Sequence, residues 1–208
     1  MNISLGRKLK AAVVAVAVLC VCTLTVYAAV ALLTAEQAAE FLWPELAQAF
    51  RQPEAIEINK TQVDGAYNIT LIGIAPGAGL TGVDIAAKDH IFAIVAVQKS
   101  DGSAMKEDAF GQFHPIPFIQ GQKPWQGGVD SAGVVKIKDG VLYLFVDCED
   151  LALFSDKAIT LGVSDIFCFD EVSYTYHEST GLVTPNEEYA GVNVLFSLPI
   201  DASFAKGR

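Results

Sequence analysis

Residues able to carry acid–base or metal chemistry are few in this chain of 208 residues. There are three histidines, His90, His114 and His177, and no two stand at the spacing that sets zinc ligands on one helix face. His177-Glu178 begins like a zincin motif, but no second histidine follows, so structural roles are expected for all three. Two acidic clusters fall near predicted strand ends: Asp147, Glu149 and Asp150, then Asp165, Asp170 and Glu171. Oxygen ligands could converge on calcium there, and the first cluster is the calcium candidate. Neither cluster has the dense Asp/Asn/Gly spacing of a calcium loop. Carboxylates such as Asp147, Glu149 or Asp165 would also suit glycoside hydrolysis, if two of them stood at the separation that chemistry needs. The sequence has no Gly-x-Ser-x-Gly elbow, no P-loop and no dinucleotide fingerprint. A non-enzyme without a cofactor is the expectation.

The segment Gln120–Gly128 is more unusual. It puts Trp125 in a polar, glycine-rich loop, with Lys123 beside it, directly after an apolar stretch ending at Ile119. An exposed indole offers a large contact area at small entropic cost and would suit a sugar or a protein. The other use of Trp125 is to fold back and cap one end of the domain. Tyr174 and Tyr176, two residues apart, share a strand face and could extend the same contact surface, or simply pack across strands.

Of four cysteines, Cys20 and Cys22 lie in an apolar N-terminal run, which leaves Cys148 and Cys168. An oxidising compartment would permit a disulfide between them. Strand parity opposes it: Cys148 is in phase with Leu142, Leu144 and Val146, whereas Cys168 is out of phase with Ile159, Leu161 and Val163.

The N-terminus implies export. Arg7, Lys8 and Lys10 precede 23 residues, Ala11 to Leu33, without a charge or a proline. That length spans a bilayer as a helix, with the positive end inside. Val26-Tyr27-Ala28 equally suits signal cleavage after Ala28. Residues 1–33 are therefore read as a signal peptide or membrane anchor, and residues 34–208 as one extracytoplasmic domain, at the membrane face or secreted. Three of the 14 basic residues belong to the leader, leaving 11 against 24 acidic ones, a formal charge of −13. Such a surface keeps a domain soluble and argues against a nucleic-acid partner.

These residues must be placed by a mostly β scaffold. Thr34 reads as an N-cap, with Gln37 completing a capping box, and Pro44 should break the helix near Trp43 within a helical segment covering 35–51. Beyond Ile56 the apolar period becomes two. Asp64-Gly65, Asp101-Gly102 and Asp139-Gly140 mark turns. A two-residue turn at the first sets Val63 against Ala66 and Ile58 against Leu71; at the third, Val135 faces Leu144 and Ile137 faces Leu142. Ile91–Val97 is apolar throughout, as for a central strand buried on both faces. About nine strands follow: 56–63, 67–74, 91–98, 113–119, 134–138, 141–148, 159–163, 172–176 and 192–198. The expected fold is mainly β, a β-sandwich of general immunoglobulin-like architecture with a short helical cap.

The stretches Leu33–Leu42, Ala93–Met105, Gly121–Trp125 and Tyr189–Asp201 together resemble an uncharacterised family of exported proteins from Firmicutes, over nearly the whole exported part. More loosely, the chain is similar to the extracytoplasmic domains of anti-sigma-factor-type membrane proteins, although ten residues before the apolar run are too few to hold a sigma factor. The resemblance implies a signal or anchor followed by one β-rich domain, and assigns no catalytic residue. The functional expectation is an extracytoplasmic binding module for a protein or glycan, tethered through residues 11–33 if uncleaved. The alternatives are a structural accessory domain of the envelope or an enzyme acting on glycans through acidic residues.

Overall fold

In a computed structural model the residues described are 31–78, 80, 87–125, 131–201 and 204. Residues 1–30, the basic leader and most of the apolar run read as a signal or anchor, lie outside them. Among the described residues no helix is long and apolar enough to cross a membrane. Leu32 and Leu33, the end of the apolar run, instead pack on the folded unit, and the Leu33 amide donates to the Tyr143 hydroxyl at 3.2 Å.

Helix α1 (Ala35–Leu42) starts with the expected capping box. Thr34 Oγ1 accepts from the Gln37 amide at 3.2 Å, and Gln37 Oε1 accepts from the Thr34 amide at 3.1 Å. Pro44 stops it after Trp43, and the chain resumes as a 3₁₀ helix at Ala47–Arg51.

The rest is antiparallel β structure with little helix. The strands are β1 (Ile56–Asp64), β2 (Tyr67–Pro76), β3 (Ile91–Lys99), β4 (His114–Ile119), β5 (Ser131–Lys138), β6 (Val141–Cys148), β7 (Ile159–Ser164), β8 (Tyr174–His177), β9 (Leu182–Pro185) and β10 (Asn193–Leu198). β9 was not expected; it pairs with β8 as a separate ribbon. One sheet runs β1-β2-β3-β6-β5 and another β10-β7-β4.

Alternating side chains from these two sheets meet in one core. Ala93, Val95 and Val97 of β3, with Leu142, Leu144 and Val146 of β6, face Leu161 and Val163 of β7 and Val194 and Phe196 of β10. The other face of β3, Phe92, Ile94 and Ala96, packs under α1 with Ala38, Ala39 and Leu42. β3 is thus central and buried on both faces, as its unbroken apolar run implies. The outer face of the three-stranded sheet is covered by the β8–β9 ribbon through Phe118, Tyr174 and Val183.

The Asp139-Gly140 turn has positive φ at both residues, +52° and +76°, and gives the expected register of Val135 with Leu144 and Ile137 with Leu142. The first hairpin is offset from expectation. Asp64 remains in the strand opposite Tyr67, Gly65-Ala66 forms the turn, and Leu71 faces Lys60 in place of Ile58. Asp64 is held there because its Oδ2 accepts from the Asn193 amide at 2.8 Å. The offset preserves the alternation of β1, so Ile58 still packs on the core, and the pairing is irregular between Glu57 and Lys60, where Asn59 has φ +52°. Asp101-Gly102 is a turn but no hairpin. Asp101 Oδ1 accepts from the amide and hydroxyl of Ser103, and the next strand, β4, belongs to the other sheet.

Candidate functional site

The two sheets meet along two seams. On the β1–β10 side Gln62 Nε2 donates to the Leu195 carbonyl, and Asp64 holds the Asn193 amide. On the opposite side β4 and β5 are each the last strand of a sheet, and between them lies a cleft of about 410 Å³. Phe113, Pro115, Pro117 and Ile119 line one wall and Val135 and Leu144 the other, while Lys123, Pro124, Phe167, Cys168 and Phe169 form the lip.

The sequence of β4 explains why this side stays open. The Gln120 amide donates to the Ala158 carbonyl at 2.9 Å, so the even-numbered residues of β4 bond to β7. Pro115 and Pro117 therefore stand at the outward positions, where a further strand would need amide hydrogens that proline lacks. Among the described residues β5 pairs only with β6, and its backbone is not blocked in this way.

The loop carrying Trp125 is fastened to the β8–β9 turn. The Gly121 amide donates to the Gly181 carbonyl at 2.9 Å, and Gln120 Nε2 to the Thr180 carbonyl at 3.1 Å. A Cβ on Gly181 would stand 2.6 Å from the Gly121 nitrogen, and its φ is +68°, so this approach requires glycine. Trp125 itself is 48% exposed. Its ring lies edge-on to Tyr176 at 5.4 Å and tilted against Phe169 at 5.7 Å. Lys123 Nζ sits 5.6 Å from the indole centroid and 2.7 Å from Glu178 Oε1. The Glu178 hydrogen bond raises the Lys123 pKa above its ordinary value. Trp125 therefore does not fold back as a buried cap; it stands half-exposed beside the cleft.

Of the residues singled out in sequence, Lys123, Trp125 and Tyr176 come together and Tyr174 does not join them at the surface. Tyr174 is fully buried between its own ribbon and the three-stranded sheet, where its hydroxyl donates to the Val194 carbonyl at 3.1 Å and burial raises its pKa. It fits because Gly162 beneath it has no side chain; a Cβ there would lie 2.9 Å from the hydroxyl.

Cys148 and Cys168 are free thiols, and the disulfide is not formed. Cys148 points into the core from β6, where burial pushes its pKa up, while Cys168 is exposed in the loop after β7 with φ +68°. In the same region the three calcium candidates are not brought together. Asp147 is buried and its Oδ1 shares a 2.8 Å hydrogen bond with His90 Nδ1, whereas Glu149 and Asp150 face solvent. Among the described residues no three His, Cys, Asp or Glu side chains are grouped to hold a metal. Burial raises the Asp147 pKa, opposed by the His90 hydrogen bond. Asp165 accepts from the Tyr189 hydroxyl at 2.6 Å. Neither Asp147, Glu149, Asp150 nor Asp165 lines the cleft.

Phe167 and Phe169 were missed in the sequence. Phe167 is 75% exposed and packs edge-on to His114 at 5.3 Å. Their signal was there: two phenylalanines flank Cys168 inside an acidic segment with no strand period. No family model matches the chain, and no curated protein and no solved structure matches it.

Proposed function

We propose that this chain is an extracytoplasmic, non-enzymatic binding module built as a β-sandwich, and that it takes an extended segment of a partner protein in the cleft between β4 and β5. The observation that carries this reading is the open seam itself. An apolar cleft of about 410 Å³ is edged by exposed aromatic rings, Phe167 and Trp125, that a purely structural domain would have no reason to leave in water. Apolar walls take side chains from the segment, and the rim supplies rigid aromatic area. The β5 edge offers backbone groups to an added strand, and the prolines of β4 direct pairing to that edge alone. The basic leader and the apolar run before Leu33 support delivery outside the membrane.

The test is capture from the native envelope on the intact chain, beside Trp125→Ala and Phe167→Ser. A protein partner retained by the wild type and lost from both variants is the expected result. A partner held equally by all three would remove the cleft from the reading, and recovery of a polysaccharide would replace the protein segment with a glycan.

A further inference from the structure

The aromatic rim is already occupied by a cation. Lys123 reaches back over the Trp125 indole and is tethered by Glu178, so one face of the ring carries an ammonium supplied by its own loop. Such a contact is worth little in water, since Lys123 is partly exposed and both Trp125 and Glu178 are exposed. It nevertheless displays what the geometry accepts: a positive charge over the indole, Tyr176 and Phe169 as flanking rings, and a carboxylate within reach as counter-ion. Charge around the rim points the same way. Asp170 and Glu171 directly follow Phe169, and residues 34–208 carry a formal charge of −13. A cationic partner would be drawn to this face and an acidic one repelled.

Resting on the binding reading above, we infer that the Trp125, Tyr176 and Phe169 rim receives a lysine or arginine side chain of the partner segment, with Glu178 as its counter-ion, and that Lys123 is an internal competitor which the partner displaces. Lys123 and Trp125, though adjacent, thus have opposite effects on affinity: removing the indole weakens binding, and removing the ammonium strengthens it. A surface that attracted cations through net charge alone would respond weakly to both changes, and Lys123→Met would then act only by its single charge.

The experiment uses the intact chain and three blocked peptides in which alanine alternates with lysine, with norleucine or with glutamate. The readout is the Trp125 indole N–H resonance, one of two such signals in the protein, assigned by its loss in Trp125→Phe. The lysine peptide is expected to shift that resonance, to lose about fivefold in affinity with Trp125→Ala, and to gain about threefold with Lys123→Met. At raised salt the gain in Lys123→Met should persist, because it reports a freed ring face and not only a removed charge. The inference is overturned if Lys123→Met leaves affinity unchanged or lowers it. It is overturned equally if the lysine peptide binds without moving the indole signal, which marks diffuse attraction to an acidic surface. A norleucine peptide that shifts the indole signal and binds as well as the lysine peptide would sink the cation and keep the cleft. Loss of envelope capture in Trp125→Ala judges the cleft reading separately, whatever the peptides do.

Discussion

On the β1–β10 seam the sheets are joined by side chains that bond to backbone groups, while on the β4–β5 seam the facing groups are prolines, aromatic rings and a strand edge. The closed seam turns on Asn193. Its amide nitrogen donates to Asp64, and its Nδ2 donates to the carbonyls of both Ser173 and Asn186 at 2.8 Å, binding β10, β1 and the ribbon segment together. At the lip of the open seam, among the described residues, His114 packs on Phe167, Lys123 bonds to Glu178 and Cys168 is exposed. A two-sheet domain needs only one seam fastened to hold its layers in register. The other can be left for a partner, provided its edge is protected, and Pro115 and Pro117 supply that protection on β4.

If that contrast is correct, stability should be concentrated on the closed seam. Asn193→Leu keeps the volume but strips donors from two carbonyls in a largely buried place, and is expected to cost about 3 kcal/mol in urea unfolding. A cost below about 1 kcal/mol would mean that the side-chain bonds to Ser173 and Asn186 do not hold this side of the domain; the backbone bond to Asp64 is kept in the variant. Tyr174→Phe removes one buried hydroxyl and leaves the Val194 carbonyl without that donor; about 1 to 2 kcal/mol is expected from the same measurement. Partner capture should survive in both variants once they are folded, since neither residue lines the cleft.

How far the sequence reveals these regions follows from the range of the interactions involved. The Thr34–Gln37 capping box, the Pro44 break, the Asp139-Gly140 register and the double burial of β3 are written in residues a few positions apart, and they are found as expected. The first hairpin is offset because Asp64 is claimed by Asn193, 129 residues away, and no local pattern records that bond. Trp125, Lys123 and Tyr176 could be named from the sequence as contact candidates, but whether Trp125 stands out or folds back as a cap could not be read from its polar, glycine-rich loop. Phe167 and Phe169 could not be named, because their meaning depends on which sheet edge the loop after β7 passes. The Asp147 group comes apart for the converse reason: neighbours in sequence diverge where a strand ends, Asp147 turning to His90 from β6 while Glu149 and Asp150 lie exposed in the turn beyond Cys148.

A smaller effect is expected on the closed side from Tyr189, whose hydrogen bond to Asp165 pushes its phenol up to about 12. An ordinary tyrosine loses its proton near pH 10, so the folded chain holds a proton that the unfolded chain has released in the interval between. The stabilisation is therefore complete below about pH 10 and is lost as pH rises through the folded value near 12. Tyr189→Phe should flatten that part of the fall in urea midpoint, while Tyr174, also raised, keeps a remainder. An unchanged slope would remove the Tyr189 to Asp165 bond from the account.

The smallest change is expected at the open rim, where Trp125→Ala and Phe167→Ser should each alter stability by less than about 1 kcal/mol, because Trp125 is 48% and Phe167 75% exposed. Large aromatic residues whose removal costs the fold little, yet abolishes capture of a partner, are what separates a surface kept for binding from one kept for folding. If either substitution destabilised the chain as much as Asn193→Leu, the rim would be acting as a second fastening between the sheets. The contrast between the seams would then be one of chemistry alone, apolar on one side and polar on the other, with both serving to hold the layers together.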